Sequence, residues 1–122
     1  MPILEVEIVG EPEAARRAGL ARRLADEAGA VLGSGPQGTW ARVRVLPAQD
    51  YAENGGGPGP GVRPVFVRLL LARHPETKEL AELVRRLTEA VARQVDRPVE
   101  NVHVIVEPPA AGRVAFGGEL RT

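Results

Sequence analysis

The sequence has no cysteine, which removes disulfide frames, thiolate nucleophiles and thiolate metal sites from consideration. Aromatic residues are nearly as scarce: one tryptophan, one tyrosine and two phenylalanines. That is too few for a sheet that stacks successive bases, so an RNA-binding β-α-β reading finds little support. No apolar run approaches the ~20 residues of a membrane-spanning helix, and the first residues lack the basic and apolar regions of a secretory signal. The expected location is cytoplasmic, with no membrane partner. Net charge is also missing: sixteen basic and sixteen acidic residues cancel, which argues against nucleic acid as a bulk electrostatic partner. Lys78 is the only lysine, so nearly all positive charge is guanidinium, the group suited to bidentate carboxylate recognition. No set of His, Asp and Glu has metal-ligand spacing, and neither a metal nor a cofactor is expected.

Glycine and proline are plentiful, and they punctuate two similar units. The 122 residues suffice for a single domain that buries roughly two-thirds of its unfolded surface. Ile3 to Val9 alternates, with Leu4, Val6 and Ile8 facing one way and Glu5 and Glu7 the other, as in a strand with one buried face. Pro2 is tolerated there because a proline at a strand's first position forfeits no central ladder bond. Pro12 suits a helix's first turn, and Leu20, Leu24, Ala28 and Val31 or Leu32 predict one helix from there to Gly33. Gly33 to Gly38 matches the letters G-x-G-x-x-G but leaves a helix and enters a strand, the reverse of a dinucleotide fingerprint, so it reads as a loop. In the next strand Ala41, Val43 and Val45 alternate with Trp40, Arg42 and Arg44. Pro47 to Pro60 reads as the crossover between units.

The second unit opens at Pro64. Val65, Val67, Leu69 and Leu71 oppose Phe66 and Leu70, the pattern of a strand covered on both sides. A helical stripe of Leu80, Leu83 or Val84, Leu87, Val91 and Val95 follows, then a strand with Val102, Val104 and Val106 inward, and a turn-rich tail. Pro2 to Pro64 and Gly55-Gly56 to Gly117-Gly118 are both separated by 62 residues. The expected fold is therefore α/β, a tandem β-α-β repeat, with units 1–57 and 64–122 joined by a linker at 58–63. Parallel pairing within each unit gives a four-stranded sheet with both helices on one face. The other face needs cover too, and self-association is the simplest source.

Pro2, the sixty-residue repeat, Pro64-Val-Phe-Val, Glu82-Leu-Val-Arg-Arg-Leu-Thr-Glu-Ala-Val, Asn101-Val-His-Val-Ile-Val-Glu and Gly117-Gly-Glu-Leu together resemble the 4-oxalocrotonate tautomerase branch of the tautomerase superfamily. The resemblance implies a fused form, in which one chain replaces two short subunits and assembles as a homotrimer. It further implies cofactor-independent keto-enol tautomerisation of a small carboxylate substrate. After removal of Met1, the free secondary amine of Pro2 would be general base and acid, and Arg42 and Arg73 would hold carboxylate and enolate oxygens. Pro64 cannot act this way, because its nitrogen is a tertiary amide. Arg44, Tyr51, His103 and Phe116 are the implied substrate-binding residues; by alternation, Arg42 aligns with His103 of the second unit. The same amine and arginines also suit hydration, dehalogenation or decarboxylation of short unsaturated acids, and a binding or assembly module on this fold stays open.

Overall fold

The structure is a computed structural model that describes residues 2–122; Met1 lies outside the described residues. Four strands, β1 (Ile3–Val9), β2 (Trp40–Leu46), β3 (Val65–Leu70) and β4 (Val102–Val106), form one sheet in the order β2-β1-β3-β4. β1 pairs parallel with β2 and β3 parallel with β4, while the two units meet antiparallel at β1 and β3. The alternating strands turn Leu4, Val6 and Ile8, with Val65, Val67 and Leu69, to one side, where all six are buried. Leu24 and Ala28 from the first unit's helix and Leu87, Val91 and Val95 from the second complete that core. Both main helices cover this single face, as the two stripes require.

The first helix is not continuous. A single turn, α1 (Ala14–Arg17), is followed by extended Ala18 and then by α2 (Leu20–Leu32). Gly19, at φ +69°, takes the left-handed conformation that glycine adopts without steric cost and restarts the helix in a new direction. The Arg23 guanidinium spans the break, donating to the carbonyls of Ala18 (2.6 Å) and Arg16 (2.5 Å). α3 (Thr77–Val95) is one uninterrupted helix.

The internal repeat also differs from the spacing of its prolines and glycines. A one-residue slip turns every strand side chain to the other face, and an offset of 62 would match inward Leu4 with outward Phe66. An offset of 63 matches inward with inward: Leu4 with Val67, Val6 with Leu69, Leu24 with Leu87 and Ala28 with Val91. It also matches the left-handed residues that end α2 and α3, Gly33 and Asp96. Val65 therefore holds the position that Pro2 holds in the first unit. Pro64 lies one residue earlier, its carbonyl accepting the N–H of Val9 at 3.0 Å.

The opposite sheet face is laid out in rows by the strand register. Trp40, Ile3 and Leu70 form the first row, Arg42, Glu5, Arg68 and Ile105 the second, and Arg44, Glu7, Phe66 and His103 the third. Trp40 and Ile105 are among the exposed large hydrophobic residues.

Candidate functional site

The site grows from the start of β1. The Pro2 carbonyl accepts the N–H of Trp40 at 3.0 Å, so β2 is anchored to the residue on which the expected chemistry rests. Because β3 runs antiparallel to β1, its C-terminal end lies beside the β1 start: Ile3 is paired with Leu70. The chain leaving β3 thus carries Arg73 out at the Pro2 end, where its guanidinium donates to the main-chain oxygen of Thr122 at 3.3 Å. The tail returns to the same end. The N–H of Ala110 is held by Leu71 and that of Ala111 by Ala72, at 2.9 and 3.1 Å. A small hairpin, β5 (Ala115–Phe116) and β6 (Glu119–Leu120), then sets Phe116 edge-on to Trp40 at 5.7 Å.

Beside Ile3 lies an open cavity of about 280 Å³, lined on its apolar side by Ile3, Leu70 and Val114 and on its basic side by Arg42, Arg68 and Arg113. Glu5 and Glu107 also line it. Its charges are largely neutralised within the chain. Arg42 is hydrogen bonded and ion-paired to Glu5, and Arg68 to Glu107 at 2.8 Å. The hydrogen bond and charge of Glu107 hold the Arg68 guanidinium above its ordinary pKa, with smaller help from Glu5 and Glu7. Arg113 donates instead to the carbonyls of Pro108 and Pro109 at 3.1 and 3.2 Å. Among the described residues no group of three or more His, Cys, Asp or Glu is placed to hold a metal ion, and no helix is long and apolar enough to cross a membrane.

The candidate residues divide between two ends of the sheet. Pro2, Arg42, Arg73 and Phe116 belong to the end just described. Arg44, Tyr51 and His103 belong to the other, whose row lies about 13 Å along β1 from Ile3 and about 7 Å from the Arg42 row at the ordinary strand rise. There Arg44 pairs with Glu7 at 2.9 Å, and the Phe66 ring lies 5.8 Å from Tyr51 and 5.5 Å from His103. The Tyr51 hydroxyl donates to Glu53 at 2.6 Å, and that bond raises its pKa. Arg42 and His103 share a face, as alternation indicates, but not a position. At an offset of 63 the counterpart of His103 is Trp40, and that of Arg42 is Ile105. Alternation prefers Arg42 to Trp40, which a gapless count between the units also offers as the counterpart of His103, and it gives no role to Arg68 or Arg113. Trp40 and Arg68 were accessible from the register, since parallel strands paired at a constant interval bring Trp40 beside Ile3, and antiparallel pairing brings Arg68 beside Glu5. Arg113 lies on an irregular turn for which periodicity offers no signal.

The fold is shared with solved structures. A fused 4-OT protein solved as a symmetric trimer superposes with a TM-score of 0.77 at 20% identity, over 98% of this chain and 94% of that one. A malonate semialdehyde decarboxylase inhibited by 3-bromopropiolate superposes with a TM-score of 0.71 at 14% identity, over 94% of this chain and 88% of that one. The family model described as tautomerase enzyme matches residues 66–122. A 2-hydroxymuconate tautomerase of Pseudomonas putida is 39% identical over 54 residues, which are 44% of this chain and 82% of the relative. The chain belongs to the tautomerase family. The residues matched by the family model are those of the second unit, whereas the tautomerase's free-amine candidate, Pro2, is in the first.

Proposed function

We propose that this tautomerase interconverts keto and enol forms of a small 2-hydroxy or 2-oxo acid without a cofactor, using Pro2 once Met1 has been removed. The observation that carries the reading is the convergence at the start of β1. The residue whose nitrogen becomes a free amine directly precedes Ile3, which lines the cavity with Leu70, Val114 and the guanidiniums of Arg42 on β2 and Arg68 on β3, and the chain leaving β3 carries Arg73 at the same end. A terminal amine titrates near ~8, and nearby cations and apolar surface disfavour its ammonium form. A base poised close to neutrality can accept the proton of the enol hydroxyl as the carbonyl forms and deliver that proton to carbon, leaving the amine free again. Arg42 and Arg73 hold the carboxylate and the developing enolate oxygen, where fixed positive charge is worth most. Phe116 contributes to the apolar wall. Arg44, Tyr51 and His103 serve substrate binding only if a neighbouring copy brings them to a Pro2 end.

The two units, 1–57 and 64–122, stand for the two short subunits of an unfused form, with one catalytic amine per chain because the start of the second unit is internal and its nitrogen is an amide. A homotrimer is the assembly proposed, covering the open sheet face. Two features support it: the exposed Ile105 on β4, at the opposite edge of that face from Trp40, and the trimeric state of the fused 4-OT neighbour of the same fold. The test is ketonisation of 2-hydroxymuconate and phenylenolpyruvate by the wild type, shown by intact mass to lack Met1, and by a variant in which an alanine inserted before Pro2 makes the Pro2 nitrogen a tertiary amide. A loss of at least ~100-fold is expected for removal of a general base; equal rates refute the role of Pro2.

A further inference from the structure

We infer that Trp40 is a specificity-determining residue of the Pro2 site, and that it favours acids carrying an aryl or extended conjugated group over short linear dicarboxylates. The inference rests on the proposed function and deepens it.

Three observations carry it. Trp40 is the chain's only tryptophan and is 43% exposed on the sheet face of Ile3, its register partner, with its own N–H held by the Pro2 carbonyl. Second, the indole is held rather than loose. Its Nε1–H donates to the Gln37 carbonyl at 3.1 Å, and Phe116 meets it edge-on at 5.7 Å with the ring planes 83° apart. Third, the Gly33–Thr39 loop is shaped around that grip. Gln37 sits at φ +63°, a left-handed conformation uncommon for a residue with a side chain. The turn beneath it is closed by Gly38 N–H to Gly35 O at 3.0 Å and braced by the Ser34 and Thr39 hydroxyls at 2.6 Å, with Thr39 buried. The glycine-rich stretch that resembles a nucleotide loop in letters thus holds an aromatic ring in place.

The ring is held at its Nε1 edge and by Phe116 yet stays 43% exposed, so the surface it leaves open can meet a second π-system. Rigid aromatic contact is obtained at little entropic cost, since the ring needs no further ordering. The basic side of the neighbouring cavity, Arg42, Arg68 and Arg113, suits the carboxylate end of the same molecule. The other unit has His103 at this position, packed on Phe66, so the indole beside Ile3 at one end is replaced by an imidazole beside Phe66 at the other.

The single tryptophan makes the test direct. Its emission is followed while wild-type protein is titrated with 3-phenylpropanoate or with adipate, neither of which can be tautomerised. In parallel, kcat/KM is measured for phenylenolpyruvate and 2-hydroxymuconate in wild type, Trp40→Leu and Trp40→Phe. The expected result is a saturable emission change with the aryl acid at concentrations where adipate gives little. The aryl-to-linear kcat/KM ratio should fall about tenfold in Trp40→Leu, mainly through KM, and recover in Trp40→Phe, the size expected for one aromatic contact. An emission change that follows protein concentration but not the aryl acid overturns the inference, as does an unchanged ratio. A wild type that turns over neither substrate refutes the proposed function, and the emission titration alone then decides the inference.

Discussion

On the proposed function, replacing Glu5 by glutamine should tighten the binding of a carboxylate substrate. In the structure Arg42 is already engaged by Glu5, and Glu5 also stands beside Arg68 in the register. A substrate carboxylate must therefore compete with a carboxylate belonging to the protein. The side chains are 71% exposed at Arg42 and 48% at Glu5, so the pair is solvated and contributes about 0.2–1 kcal/mol. Releasing it corresponds to a fall in KM of up to about fivefold. In Glu5→Gln the shape is kept and one negative charge leaves the cavity. KM for 2-hydroxymuconate should then fall about two- to fivefold, with kcat moving less and the difference shrinking as salt is raised. Glu7→Gln is the comparison: it frees Arg44 at the far end of the sheet and should leave KM near the wild-type value. A raised or unmoved KM in Glu5→Gln, or an equal fall in Glu7→Gln, would refute the assignment of substrate binding to the Pro2 end.

Two further expectations concern the scaffold. Tyr51 is the only tyrosine, so its ultraviolet titration is unambiguous. Its hydrogen bond to Glu53 raises its pKa, so the midpoint should lie above the ordinary ~10 and return toward it in Glu53→Gln. The stabilisation from that contact is complete below the unfolded-state value and is lost as pH rises through the raised one; a midpoint indifferent to Glu53 would contradict the contact. Asp96 ends α3 at φ +56°, where its counterpart Gly33 ends α2. Asp96→Gly removes a left-handed penalty of about 1–2 kcal/mol, partly offset by glycine's freedom in the unfolded chain. The melting temperature should rise by about 2–4 °C, and a fall would show that the aspartate is favoured there.

The faces of the strands were legible because burial on one side imposes strict alternation: Leu4, Val6 and Ile8 were assigned inward and Glu5 and Glu7 outward, and the structure agrees. The helix stripes were equally clear at Leu24, Ala28, Leu87 and Val91. The break at Gly19 was missed because the apolar stripe of α2 begins only at Leu20 and leaves the preceding turn without a periodic signal. Counting between prolines misled by one residue. Proline and glycine mark where strands and turns can be interrupted, whereas the repeat is defined by which side chains face the core. The same slip explains the site. The face of Arg42 was read correctly, but the pairing of Trp40 with Ile3 depends on strand register, which is a long-range property. The distribution of Tyr51, His103 and Phe116 between two ends follows from the antiparallel meeting of β1 and β3, and no local pattern encodes that choice.

The account depends on an unacylated amine at Pro2, and acylating it tests that most directly. A variant with one alanine inserted between Met1 and Pro2 keeps every side chain of the site but converts the Pro2 nitrogen to a tertiary amide. Wild type and variant, each with its N-terminus defined by intact mass and its fold checked by circular dichroism, are compared in ketonisation of 2-hydroxymuconate. The account predicts a loss of at least ~100-fold in the variant, the usual share of a general base; a variant as active as the wild type would contradict it.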